Sequence, residues 1–344
     1  GGVMSIHGML KSARIRVVTA LMLMLVSILP VQALAAEHKW RFINLYSRGT
    51  AFGDVYQSLA DDIEAMSGGR ISVKMMYAGE GVAATGIFEA VRSGLITMGA
   101  HFQPMNAGQM PPGIVEVGLP GTTDEVADLN LLFHEQGWGE VLNEAYASRG
   151  LVWLTPYIQP PVYLLTKKPI RTIDDFQGLK LRTPGAYGRF MRKLGASPVS
   201  MAWSETYTGL ATGVIDGTIG SNLIDHRDGK HVEVAKYLYP LPLAGAQVLP
   251  VVVNRKAWNR LPPDLQAIVK AATVVHAQNQ LTKSRLWEQQ ALAEMQAAGL
   301  QWSPEPSPAD RQRWNQAAVA LWQEYGEDNE YSGRLIDILL EHSK

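Results

Sequence analysis

Apolar residues fall into three regimes along this chain. The first is an unbroken run, Val17 to Leu29, headed by Lys11, Arg14 and Arg16 and closed by Pro30. A run of about 13 residues is short of the roughly 20 that a bilayer span needs. Ala33-Leu34-Ala35 adds the small-x-small pattern that a signal peptidase reads. Residues 1–36 are therefore expected to be a secretory leader plus an upstream remnant, Gly1-Gly2-Val3, cleaved near Ala35 or Ala36. An uncleaved anchor is the competing reading.

The second regime alternates short apolar strands with short helical stretches. Trp40 to Tyr46 reads as a strand that runs into the loop Ser47-Arg48-Gly49-Thr50. Val55, Leu59, Ile63 and Met66 recur at helical spacing, and Gly68-Gly69 stops that helix. Arg70–Tyr77 is a strand, Ile87–Arg92 a helix closed by Gly94, and Leu95–Met98 the next strand. After Pro160-Pro161 the rhythm repeats. Thr172–Phe176 is a capped turn, Leu179–Arg182 a strand, and Gly185–Leu194 a helix; a further helix runs from Ser204 to Leu210, and Val214–Asp216 is a buried strand. The junctions Val91–Ile96 and Leu210–Ile215 echo one another, one in each unit. This rhythm predicts α/β units with mostly parallel sheets, whose ligands sit at the carboxyl ends of strands. Arg48, His101 and Phe102 are placed near a site by that rule.

From Pro262 the period is purely helical. Leu265, Ile268, Val269, Ala272 and Val275 mark one helix over 262–298, stopped by Gly299; a second covers about 308–325, and a short third ends the chain. A helix of that length after two α/β units suggests a brace across both.

Composition narrows the chemistry. Removing the leader removes three cations and no acid, so 31 Lys and Arg fall by three against 32 Asp and Glu, a mature charge of −4. Nothing in that balance points to nucleic acid. With no cysteine, disulfides, thiolate metal sites and Cys nucleophiles are all excluded. Core burial has to stabilise the fold, and 47% hydrophobic residues allow it. No Gly-x-Ser-x-Gly elbow, Walker loop or His-Glu-x-x-His is present, and no nucleophile stands beside a base. His226 and His231, five apart beside Asp225 and Asp228, read as a surface turn around Gly229 rather than metal ligands. Asp61, Asp62 and Glu64 read as solvated charges on the first helix, and Glu205 as a capping residue.

One stretch is more specific. It runs Lys168-Pro169-Ile170, then Asp174 to Pro184 (DDFQGLKLRTP), Leu194 to Val199 (LGASPV), and Glu205, Tyr207, Leu210, Gly213 and Ile215-Asp216-Gly217. It resembles the substrate-binding subunit of TRAP transporters (tripartite ATP-independent periplasmic transporters). The resemblance implies an α/β, two-lobed, hinged periplasmic binding protein with a long helix bracing both lobes. Lobe I is then 37–160 plus about 249–287, and lobe II 161–248 plus about 288–344. It implies a periplasmic receptor without a cofactor, which closes on a small organic acid and delivers it to membrane permease subunits, with Arg182 holding the carboxylate. A planar guanidinium at a strand end suits that role. Gln159, Tyr163, Tyr187, Trp203 and Asn222 are the secondary candidates. Sialic-acid-binding members carry a second arginine where this chain has Gln159 to Tyr163, so a second cationic anchor is not expected. Keto-acid-binding members place Glu-Trp where Ile219-Gly220 stand here, so no metal-bridged ligand is expected. An ABC-type solute receptor and an exported α/β hydrolase remain the alternatives; a cytoplasmic ligand-sensing regulator conflicts with the leader.

Overall fold

A computed structural model describes residues 36–123, 125–183, 185–219 and 222–343. The expected leader, as far as residue 35, lies outside them, as do Pro184, Gly220 and Ser221.

Two sheets carry the fold. In the first, β1 (His38–Asn44) lies between β2 (Ile71–Tyr77) and β3 (Met98–Ala100), parallel to both. Helix α1 (Ala51–Met66) crosses between β1 and β2, and the Thr50 hydroxyl caps it by accepting from Gly53 N–H at 3.1 Å. Its buried stripe is Phe52, Val55, Tyr56, Leu59 and Ile63; Met66, the last expected member, is exposed because the helix ends there. Helix α2 (Ile87–Ser93) leads to β3. β4 (Leu151–Gln159) and β10 (Gln247–Asn254) complete the sheet in the order β2-β1-β3-β10-β4. β10 is antiparallel to both its neighbours, so the sheet is mixed rather than mostly parallel. The reason is topological: β10 is the chain returning from the second lobe.

The second sheet contains β5 (Leu164–Thr166), β6 (Lys180–Arg182), β7 (Ser197–Val199), β8 (Gly217–Ile219), β9 (Tyr237–Leu238) and β11 (Gln301–Trp302), in the order β11-β9-β5-β8-β6-β7. Around it pack α6 (Gly185–Lys193), α7 (Thr206–Thr212) and α8 (Leu223–Asp228). The capped turn before β6 is a 3-10 turn, Ile173–Phe176, closed by a reciprocal Thr172–Asp175 capping box.

Both expected strands that follow a glycine begin later than their apolar residues suggest. Gly94 and Gly213 adopt left-handed φ of 83° and 78°, capping α2 and α7. Two residues on, Ile96 N–H reaches back to Ala90 O at 2.9 Å, and Ile215 N–H to Gly209 O at 3.2 Å. The sequence echo is thus one helix-ending motif used twice. Residues 95–97 and 214–216 complete that turn, leaving Leu95 and Val214 more than half exposed at 55% and 51%. The strands start at Met98 and Gly217.

Two segments cross between the lobes, from β4 to β5 and from β9 to β10, and they bond to each other: Val162 N–H donates to Ala244 O at 3.0 Å and Leu243 N–H to Val162 O at 2.7 Å. Further helices cover the first lobe: α3 (Gly113–Glu116), α4 (Val126–His134), α5 (Trp138–Ala147) and α9 (Arg255–Asn259). Helix α10 (Pro263–Ala297) has 35 residues and is therefore about 50 Å long. Leu265, Val269 and Ala272 join the core around β1 and α1, whereas Ala291 and Met295 join the core of the second lobe. The brace is present, although Val275 faces solvent. His276 of α10 pairs with Asp62, so that carboxylate ties the brace to α1 rather than serving as a free surface charge.

Helix α11 (Pro308–Glu327) also touches both lobes. Its Trp314 stacks edge-on against Phe190 of α6, ring centroids 4.7 Å apart, while Trp322 donates to Pro120 O at 2.8 Å. Helix α12 (Glu330–His342) lies on the first lobe, not the second as expected from its sequence position. There Trp138 of α5 donates to Leu335 O at 2.7 Å, and Arg334 pairs with Glu144. Among the described residues no helix is long and apolar enough to cross a membrane.

Candidate binding site

A cavity of about 340 Å³ opens where the two sheets face each other. Lobe I supplies Leu45 and Tyr46 just past β1, Phe102 and Met105 just past β3, and Gln247 and Leu249 from β10. Lobe II supplies Arg182 at the end of β6, Trp203, and Asp225 of α8. Of the three residues that the strand-end rule placed near a site, Phe102 alone is in this lining.

Arg182 is partly buried and rigidly held: Nε donates to Met201 O at 3.1 Å and one terminal nitrogen to Ile219 O at 3.0 Å. None of the ion pairs among the described residues involves it. Burial lowers its pKa from the usual arginine value. Two carbonyl bonds leave most of its five N–H donors for a ligand.

Trp203 sits on a 3-10 turn, Trp203–Glu205, which Glu205 closes by accepting from Ala202 N–H at 3.2 Å. The Arg182 guanidinium lies 5.2 Å from the Trp203 ring centroid. Behind the indole, His231 packs edge-on at 4.8 Å and His226 at 5.6 Å. The two histidines face each other, Nδ1 to Nδ1 at 3.1 Å, with residue exposures of 0% and 2%. The expected surface turn at 228–230 exists, but both imidazoles turn inward from it. Burial first of all, and Arg182 among the nearby charges, lower both pKa values well below the usual histidine range.

On the opposite wall, the Tyr46 hydroxyl is bonded to the Gln159 side-chain amide, with oxygen–oxygen and oxygen–nitrogen distances of 3.0 and 2.8 Å. Burial, and then the charge of Asp225 across the cleft, hold the Tyr46 phenol well above its usual pKa.

The nine sequence candidates separate clearly. Arg182, Trp203 and Phe102 line the cavity. Gln159 stands behind it through Tyr46. Asn222 caps α8, its Oδ1 accepting from Asp225 N–H at 3.2 Å, and so fixes the start of the helix that carries Asp225. Tyr163 lies by the crossing segments, edge-on to Trp302 at 5.9 Å. Arg48 is exposed, paired with Glu80 and stacked 4.2 Å from the Tyr77 ring centroid. His101 and Tyr187 are fully buried in the core, with side-chain polar atoms that have no hydrogen-bond partner among the described residues. The structure does not bring these last three to the cavity. Asp225, Gln247 and Leu249 were missed as site residues. The last two are visible only once β10 is known to run antiparallel beside β3, which brings its beginning to the end of that strand.

Residues 44–329 match the family described as bacterial extracellular solute-binding protein, family 7. The chain is 28% identical over 280 residues to a monocarboxylate 2-oxoacid-binding periplasmic protein of Nostoc sp., covering 80% of this chain and 76% of that one. It is 26% identical over 316 residues to the C4-dicarboxylate-binding periplasmic protein of Rhodobacter capsulatus, covering 87% and 90%. In fold it is similar to the crystal structure of a TRAP periplasmic solute binding protein from Colwellia psychrerythraea with bound calcium and pyruvate. There the TM-score is 0.81 at 24% identity, over 89% of this chain and 94% of that one.

Proposed function

The chain belongs to the bacterial extracellular solute-binding proteins of family 7, and from that premise we propose that it is the periplasmic receptor of a TRAP transporter for a small organic acid. Arg182 carries the reading: a half-buried guanidinium, fixed by two carbonyls and facing a cavity, is a ready anchor for one carboxylate. The acids named for its relatives, a 2-oxoacid and a C4-dicarboxylate, fit that anchor while differing in everything beyond it.

The geometry also supports a capture step. Both lobes bring part of the cavity wall, so a ligand contacts both only when they meet, and its binding favours the closed arrangement. The two crossing segments and the long brace are the elements that would bend. Closure removes water from around Arg182 and strengthens its hold on the acid. The closed surface is then the form a membrane permease would receive.

Isothermal calorimetry on the mature protein, guided by a thermal-shift screen of organic acids, tests the proposal. Arg182→Ala should weaken the best acid by 100-fold or more, the scale expected when a buried ion pair loses one partner, while circular dichroism stays unchanged. Unchanged affinity in a folded variant would refute the anchoring role.

A further inference from the structure

Most polar groups of the cavity wall are already engaged within the chain. The Tyr46 hydroxyl is bonded to the Gln159 amide, and the Thr50 hydroxyl both caps α1 and donates to Ser47 O at 2.8 Å. Asp225 is likewise engaged, and Ser47 is exposed to solvent. Gln247 differs. It is 5% exposed at the start of β10, and its side-chain amide makes no hydrogen bond among the described residues. Successive residues of a strand face opposite sides, so Gln247 and Leu249 share one face. Both line the cavity, whereas Val248 between them joins the main core. The Gln247 amide is therefore directed into the cavity from lobe I, while Arg182 enters it from lobe II. A buried amide without a partner is destabilising, so a ligand oxygen that bonds it is favoured over a methylene in the same place.

The charge of that ligand group is limited too. Arg182 is the one lysine or arginine among the described residues that line the cavity. A second carboxylate would be enclosed with no cation beside it, which desolvation opposes. A hydroxyl or oxo oxygen carries no such cost, and it matches an amide, which offers both donor and acceptor. Resting on the organic-acid reading above, we propose that Gln247 is a specificity-determining residue of this site. With Arg182 holding the single carboxylate, Gln247 bonds a neutral hydroxyl or oxo oxygen elsewhere on the ligand skeleton.

Butyrate, its 2-, 3- and 4-hydroxy derivatives, 2-oxobutyrate and succinate share one carbon chain length and differ in the oxygen they offer to Gln247. Calorimetry on the mature protein with these acids tests the assignment. At least one hydroxy or oxo acid should bind tighter than butyrate by roughly 5- to 100-fold, the scale of leaving a buried polar group unpaired, and tighter than succinate. Gln247→Met, a straight chain of similar length, should lower the preference over butyrate by about 5-fold or more. Lost wall packing alone would weaken both acids alike and leave their ratio unchanged. Gln247→Ala reads the same ratio if Met is not accommodated in β10, and the unfolding transition shows that the variant used is folded. Butyrate or succinate binding as tightly as the best hydroxy or oxo acid overturns the inference and leaves the organic-acid receptor standing. So does failure of all these probes when the wider screen has found another acid. An unchanged ratio in a folded variant overturns the role of Gln247. Failure of every carboxylic acid in the wider screen overturns both readings.

Discussion

Acidification should destabilise this protein through histidines that do not line the cavity, and the size of the effect follows from burial. His101, His226 and His231 are 0%, 0% and 2% exposed. Burial depresses all three, His101 to about 3, from a usual value of 6.5. Each is neutral in the folded protein at pH 5.5, whereas in the unfolded chain roughly nine in ten would be protonated. Stability is therefore full above pH 6.5 and is lost as the pH falls below it, by about 1.4 kcal/mol per histidine at pH 5.5. That figure depends on the unfolded value alone, provided the folded value lies well below 5.5. Three histidines remove about 4 kcal/mol.

Glu116 works in the opposite direction. It is 0% exposed at the end of α3, accepts from the Tyr146 hydroxyl at 2.6 Å and the Trp153 indole at 2.7 Å, and is pushed up to about 7 by burial. Between pH 7.5 and 5.5 it takes up a proton in the folded state and returns about 2 kcal/mol. The net loss from these four groups is then about 2 kcal/mol. Urea unfolding of the mature protein at the two pH values measures it, and His101→Phe isolates one contribution. That variant should lose about 1.4 kcal/mol less than the parent on acidification, whatever its stability at pH 7.5. An identical loss in parent and variant would show that His101 is charged in the folded state, and the burial reasoning would be refuted.

Other consequences are simpler to check. Tyr46→Phe strands the buried Gln159 amide and should cost about 1–3 kcal/mol in urea unfolding, and an unchanged stability would show that the amide finds another partner. Gly118→Ala combines a φ of 107° with a Cβ position 2.3 Å from the main-chain oxygen of Ala246, next to β10, and should cost at least about 3 kcal/mol in urea unfolding. Trp314→Ala empties a site between Phe176, Phe190 and Tyr239; a loss of about 3–5 kcal/mol is expected, and a loss below 1 kcal/mol would mean that α11 is not fixed by that contact.

Much of this protein is local and was legible in its residues. The capped turn at Thr172–Phe176, the glycine stops at Gly94 and Gly213, and the 35-residue helix after Pro262 depend on neighbours within a few positions. Arg182 was also legible, because the motif around it and its place at a strand end carry the same message. What the pattern could not supply is which way a side chain turns once distant segments meet. His226 and His231 flank a polar turn, yet both enter the core, because Trp203, more than 20 residues earlier, offers them an aromatic wall. Arg48 and His101 sit at strand ends as expected, but one is drawn outward to Glu80 and the other inward against Phe88 and Tyr146. Helix α12 continues the chain from α11 and still folds back onto the first lobe, where Trp138 finds the Leu335 carbonyl. Local sequence set the elements and placed Arg182 at a strand end; packing between the lobes decided which charges share a cavity. That is why Asp225 entered only with the tertiary structure: it lines the same cavity as Arg182, and no spacing along the chain encodes that meeting.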